Sequence, residues 1–280
     1  MPQVVIVGAG PLGGELAFQL ARRDVADSIL LVDESGSVAA GKALDIMQAG
    51  AVESFATRVA GAAELVAITT APIVVLADRW AAGEWQGEDG VGLLKRLSRA
   101  GVTKLIVAAG ATQQEIVERG VRELMIDRRQ ILGSAPEALA AAVRALTALE
   151  ANRSPKDVAL TVLGRPPQHV VIPWDGATIA GLPAVRMLDE PTRRRIDDRA
   201  RLLWPPGPMT LAAAAAKAVI AALGGSRQSM TATMAADAAM GMRARAVALP
   251  VVLGPVGVTP IELPTLSAHD RVALDNASML

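Results

Sequence analysis

The chain has 280 residues, 51% of them hydrophobic and 20% charged, and its 28 lysines and arginines balance 28 aspartates and glutamates. That is enough for two domains or one large α/β unit with a full core, and it excludes extended disorder. An even charge balance with 2% aromatic residues leaves no basic footprint or stacking platform for nucleic acid; no cysteine means no thiolate or disulfide chemistry, and two distant histidines, His169 and His269, argue against a metal site.

Val4 to Val7 is a short β-branched run, the length of a buried parallel strand. Gly8, Gly10 and Gly13 follow, and behind them Leu16, Ala17, Leu20 and Ala21 recur at helical spacing until Arg22, Arg23 and Asp24 break the pattern. A second apolar run, Ile29 to Val32, ends at Asp33. Gly41 to Gly50 reads as an amphipathic helix, followed by short stretches at Arg58–Val59 and Ile68–Thr69. Ala71 to Ala77 and Leu105 to Ala109 read as further buried strands, with a helix around Leu93 to Leu97 between them, and Gln130 to Gly133 closes this half. Strand alternating with helix predicts a doubly wound parallel sheet.

The second half reads as a mixture. Glu137 to Leu149 is an alanine-rich helix, Val158 to Leu163 a strand, His169 to Pro173 its partner strand, and Pro191 to Leu203 a helix whose arginines and aspartates make a solvated face. Leu211 to Leu223 is a helix of small residues suited to close packing; at 13 residues with Lys217 inside, it is too short to span a bilayer. Ala246 to Gly254 and Val258 to Leu263 are hairpin-like strands, and a final helix begins at Ser267. The first strand starts three residues from Met1, which leaves no room for a signal peptide, so a soluble cytoplasmic protein is expected. The expected division is 1–133 and 134–280.

In residues 3–33 each part has a task in holding a dinucleotide. Gly8 permits a tight turn, Gly10 lets a pyrophosphate approach the backbone, and Gly13 lets helix and strand touch, while the helix N-terminus offers N–H groups and partial positive charge to phosphates. Asp33, 20 residues past the third glycine, would accept hydrogen bonds from the adenosine ribose, and Glu34 beside it would repel a 2′-phosphate, favouring NAD over NADP. Gly8, Gly10, Leu12, Gly13 and Asp33 are thus the expected cofactor-binding residues of a Rossmann fold. Pro11 lacks an N–H, which removes one possible donor to the phosphates. The competing reading is a strand–turn–helix whose glycines serve packing alone.

GAGPLGG with LVDES, GKALDIMQAG followed by TRVAG, TVLG at 161–164 and VALPVVLGPVGVTPIELPTLSAHDRVALDNA near the C-terminus resemble the malate/lactate dehydrogenase superfamily over essentially the whole chain, most of all the NAD-dependent malate dehydrogenases. The resemblance implies an NAD-binding Rossmann half followed by a mixed α+β catalytic-type half. It also implies a homo-oligomer, a dimer or tetramer, with the helix at Gly41–Gly50 near a subunit interface.

Against that pattern the catalytic residues are replaced. The resemblance places arginines that grip a 2-oxo acid on the loop after the fourth strand. Here that loop is DRWAAGEWQGEDGVGLL, with Ala82 and Glu88 at the arginine positions and Glu84, Glu88 and Asp89 opposing Arg79 alone. A dicarboxylate would meet net negative charge. Ala109 stands where the family has an asparagine, Leu139 and Ala142 where it has an aspartate and an arginine, and Pro166 or Pro167 where it has the proton-exchanging histidine. PPGPMTLAA replaces the family's last pocket wall. His169, about three positions downstream, is the one candidate for a relocated base, with Asp175 the nearby acid that would orient it; a strand-end histidine is the competing reading. Glu137, two helical residues from Leu139, faces away by about 200°.

Three readings follow: a catalytically degenerate relative that keeps NAD(H) binding and acts as a nucleotide-responsive or partner subunit; an active NAD-dependent oxidoreductase for a less anionic substrate, with Trp80 and Trp85 capping an apolar pocket; and a purely structural subunit.

Overall fold

A computed structural model describes residues 3–64, 71–101, 105–225, 229–236, 245–254 and 257–279. The N-terminal half runs β1 (Gln3–Val7), α1 (Pro11–Ala21), β2 (Ser28–Val32), α2 (Gly36–Glu53), β3 (Arg58–Ala62), β4 (Ile73–Leu76), β5 (Asp78–Arg79), β6 (Gly83–Glu84), α3 (Gly87–Arg99), β7 (Leu105–Ala108), α4 (Gln114–Leu124) and β8 (Ile131–Gly133). The C-terminal half continues with α5 (Ala135–Glu150), β9 (Val158–Ala159), β10 (Leu163–Arg165), β11 (His169–Val171), β12 (Thr178–Ile179), β13 (Leu182–Pro183), α6 (Ala184–Met187), α7 (Glu190–Leu202), α8 (Pro208–Gly224), β14 (Ser229–Ala235), β15 (Ala246–Gly254), β16 (Gly257–Pro260) and α9 (Ala268–Met279).

Six parallel strands lie in the order β3-β2-β1-β4-β7-β8, the doubly wound arrangement predicted, with Val5 opposite Leu30 on one side and Val74 on the other. β1, β4 and β7 are apolar and buried almost throughout because helices cover both faces of a parallel sheet. On one face Leu16 and Leu20 of α1 pack with Leu211, Ala215 and Val219 of α8, whose small side chains let the two helices approach. On the other, Leu93, Leu94 and Leu97 of α3 pack with Ile116 and Val117 of α4 over Val5, Val74 and Ile106. A third cluster, including Leu139, Val143, Val162, Ile172 and Ile196, forms the core of the C-terminal half.

The sheet does not stop at Gly133. β14 pairs antiparallel to β8 through Thr233 and Gly133, and β15 and β10 extend it, so the expected division falls where one continuous sheet changes from parallel to antiparallel.

Several elements differ from the sequence reading. The strand expected over Val158–Leu163 is broken: β9 joins a separate small sheet with β12 and β13, and β10 joins the large one, while Leu160 and Val162 are buried in the core between them. The helix at Gly41–Gly50 is longer, starting after Ser35 and ending at Ser54, whose left-handed φ of 60° closes it. β14 and α4 were not predicted, and the Ile68–Thr69 stretch lies outside the described residues. No described helix is long and apolar enough to cross a membrane.

Candidate functional site

The strand order reverses between β1 and β4, and a crevice at such a switch point, outside the carboxyl ends of the strands, is where open α/β sheets place ligands. Gly8 leaves β1 at φ 121°, a conformation that favours glycine, and its N–H donates to Val32 at 2.7 Å. A Cβ on Gly13 would collide with the Gly8 carbonyl oxygen, so α1 rests directly on the end of its strand. Asp33 follows β2 and is buried. The structure therefore brings Gly8, Gly10, Leu12, Gly13 and Asp33 to one end of the sheet, and what their polar groups bind is the chain itself.

The side chain of Asp78, immediately beyond β4, lies across the glycine turn. Its carboxylate accepts the Gly13 N–H at 2.9 Å and the Leu12 N–H at 3.2 Å, and a Cβ on Gly10 would strike it. The Asp78 carbonyl also accepts from the Gly10 N–H at 2.7 Å. Helix α1 has no acidic residue in its first turn and no side-chain cap, so Asp78 supplies the anion that its N-terminus attracts. Asp33 accepts three backbone N–H bonds, from Ala9 at 2.7 Å, Trp80 at 2.9 Å and Ser35 at 2.9 Å. A carboxylate has about four lone-pair sites, so little of Asp33 is free. Lys42 of α2 donates to the Gly10 carbonyl at 2.8 Å and stands 5.1 Å from the Trp80 ring centre. Burial pulls its ammonium below the ordinary lysine range, against the opposing pull of the Asp78 and Asp33 carboxylates.

β5 and β6 form a two-rung hairpin in which Asp78 is opposite Glu84 and Arg79 opposite Gly83. Glu84 reaches the start of the segment after β7, accepting the Ala111 N–H at 2.9 Å and the Thr112 N–H at 2.8 Å. Arg79 stacks 4.3 Å from the Trp85 ring centre and pairs with Asp89 at 3.3 Å, while Glu88 pairs with Arg119 at 2.7 Å. Trp85 is not a pocket cap as one reading of the sequence had it. It is 5% exposed and its Nε1–H donates to the Val7 carbonyl at 3.2 Å, which makes it part of the core under α3. Trp80 is 53% exposed.

At the substrate end, Ala109 and Leu139 are fully buried and apolar. Glu137 is buried as well, accepting from Lys217 and Arg144 at 2.8 Å each and from the Thr231 N–H at 2.7 Å, so its charge is spent on holding α5, α8 and β14 together. No local pattern signals this partnership, because the three donors lie up to 94 residues away. His169 heads β11 opposite Arg165, half-buried, and Asp175 is exposed on a turn. Among the described residues no side chain hydrogen-bonds or ion-pairs with His169, so the expected base and its orienting acid are not brought together.

Residues 2–96 match the family model described as lactate/malate dehydrogenase, NAD binding domain. A malate dehydrogenase of Thermomicrobium roseum is 26% identical over 99% of this chain and 94% of its own length, and one of Nostoc punctiforme is 30% identical over 72% of this chain and 64% of its own. Among solved structures, the malate dehydrogenase of Salinibacter ruber superposes with a TM-score of 0.90 at 21% identity, over 99% of this chain and 94% of that one. The matches imply NAD(H) as the cofactor of the N-terminal half. A pyrophosphate would need the Leu12 and Gly13 amides that Asp78 holds, and a ribose the Asp33 oxygens that hold Ala9, Ser35 and Trp80.

Proposed function

We propose that the chain is a catalytically degenerate member of the malate/lactate dehydrogenase superfamily, an NAD(H)-responsive or partner subunit rather than an oxo-acid dehydrogenase. The observation that carries the reading is the state of Arg79. It is the one arginine of the loop that would grip an oxo acid, and its guanidinium is held between Asp89 and the Trp85 ring. Ala82, Glu88 and Ala142, at the three positions where the resemblance places arginines, can offer no fork to a carboxylate. Proton exchange lacks its groups in the same way, with His169 unoriented and Glu137 locked by Arg144 and Lys217. General acid–base help contributes typically ~10²–10⁴ in rate, and removing one charge-stabilising donor costs ~10²–10³ more, so the combined loss leaves little of an ordinary dehydrogenase.

Gly8, Gly10, Leu12, Gly13 and Asp33 remain the residues proposed to meet NAD(H) when it binds. Assembly as a homo-oligomer in the cytoplasm belongs to the same reading. Its support is α2, where Leu44 and Val52 stand 59% and 85% exposed on the helix that the family resemblance places near a subunit interface.

The test is NADH oxidation by the purified protein with oxaloacetate, pyruvate and a set of neutral ketones, at NADH concentrations up to millimolar. No saturable rate above the uncatalysed background is expected. Saturable reduction of any of these at an ordinary enzymatic rate would overturn the proposal.

A further inference from the structure

We propose that the β5–β6 hairpin is a built-in competitor of the dinucleotide, with the Asp78 carboxylate standing in for the pyrophosphate. The inference deepens the reading of the N-terminal half as an NAD(H) site and rests on it.

Three carboxylates fasten the hairpin and its neighbours across the whole crevice. Asp33 holds the Trp80 N–H at the adenosine end, Asp78 takes the Leu12 and Gly13 N–H pair in the middle, and Glu84 takes the Ala111 and Thr112 N–H pair at the far end. Asp78 and Glu84 are register partners, so both leave the same face of the hairpin, where two like charges opposite one another are unfavourable. Each is offset by a pair of amide donors. The pairs are of the kind that helix and loop N-termini present to phosphate, and the Leu12–Gly13 pair is the one a pyrophosphate would take. Gly10 shows the substitution most directly: the space that its missing Cβ leaves is filled by the Asp78 carboxyl group. Lys42, bonded to the Gly10 carbonyl and facing Asp78 and Asp33, is the cation that makes two carboxylates tolerable here.

A tethered anion has an effective concentration of about millimolar or more, without any loss of translational freedom on binding. Free NAD(H) has to displace it, and the apparent affinity falls by the fraction of molecules in which the hairpin is open. The crevice then behaves as a gated site. A ligand or partner subunit that draws the hairpin away admits the nucleotide, and nucleotide binding releases the segment around Trp80.

The experiment is titration with NADH, followed by its fluorescence and by calorimetry, on the wild type, Asp78→Ala and Asp78→Asn. Asp78→Ala keeps the backbone bond from Gly10 and removes only the carboxylate, and it should bind NADH at least tenfold more tightly than the wild type. Asp78→Asn keeps the shape, loses the charge and should fall between them; it also serves as the readable variant should Asp78→Ala fail to fold. Equal NADH affinity in the wild type and a folded Asp78 variant would overturn the proposal, and so would the absence of binding at millimolar NADH in all three. Turnover of oxaloacetate by the wild type would sink the degenerate-enzyme reading and leave the affinity comparison to decide this one by itself.

Discussion

The backbone N–H of Trp80 donates to the Asp33 carboxylate at 2.9 Å, which ties the loop after β4 to the acid that ends β2. Asp33 is therefore structural in the nucleotide-free protein, as well as being the residue proposed to meet a ribose. Asp33→Ala would leave the Ala9, Ser35 and Trp80 amides without their acceptor. Hydrogen bonds to charged groups contribute about 1.5–3 kcal/mol each, and partial access of water to the freed amides reduces the loss. Urea unfolding without nucleotide should show a loss of about 2 kcal/mol or more. An acid that waited only for ligand would leave that stability unchanged.

Glu137 makes a second, buried case. Its carboxylate is matched by Lys217, Arg144 and the Thr231 amide, so Glu137→Ala strands two cations and a donor near the meeting point of α5, α8 and β14. Removing one partner of a buried ion pair costs about 3–5 kcal/mol. The midpoint of urea unfolding should fall accordingly. Lys217→Met should cost less, because the lysine side chain is 37% exposed and Arg144 remains to balance the acid.

Asp197 gives a pH dependence. It is half-buried beneath Trp174, whose Nε1–H donates to it at 3.0 Å, and burial pushes its carboxyl up to about 6 from an ordinary 3.8, opposed first by that Trp174 bond and then by Arg201, while the nearby Asp270 and Asp198 charges add to the rise. The folded protein holds this proton more tightly than the unfolded chain. Its contribution to stability is therefore fully present below about pH 4 and is lost as the pH climbs towards 6. Asp197→Asn should flatten that interval in a series of thermal melts between pH 4 and pH 7. A wild-type profile as flat as the variant's would contradict the assignment.

Two glycines separate packing from mere flexibility. Gly13→Ala sets a methyl group against the Gly8 carbonyl oxygen, a backbone atom that cannot move aside, and should destabilise by about 3 kcal/mol or more in urea unfolding. Gly41, exposed on α2 with nothing within 4 Å of an added Cβ, is the control. Gly41→Ala should stabilise by about 0.5–1 kcal/mol, since the unfolded chain loses freedom and the helix loses nothing.

The parallel half of the fold was legible because its strands are runs such as Val4–Val7 and Ile73–Leu76, buried on both faces, and its glycines fall in register with them. α4 was equally readable, with Ile116, Val117 and Gly120 buried along one face, and the sequence reading passed over it. β14 is SMTATMA, whose alternation of polar and apolar residues carries a strand's period of two and was readable as well. The candidate site was half legible. Gly8, Gly10, Leu12, Gly13 and Asp33 converge as their spacing predicts, yet the partners of Asp33 and Leu12 lie 47 and 66 residues along the chain. No local pattern marks Asp78 as an internal anion, because its meaning depends on which turn the end of β4 faces. The same limit applies to Glu137, whose helical position said nothing of Lys217.

The gate is tested most directly by hydrogen exchange with and without saturating NADH, read by mass spectrometry on peptides covering residues 78–84 and the 9–13 turn. Nucleotide should speed exchange in 78–84, as Trp80 leaves Asp33, while the Leu12 and Gly13 amides stay protected by the incoming phosphates. Bound NADH with exchange in 78–84 unchanged or slowed would mean that hairpin and nucleotide share the crevice, and the account would be wrong.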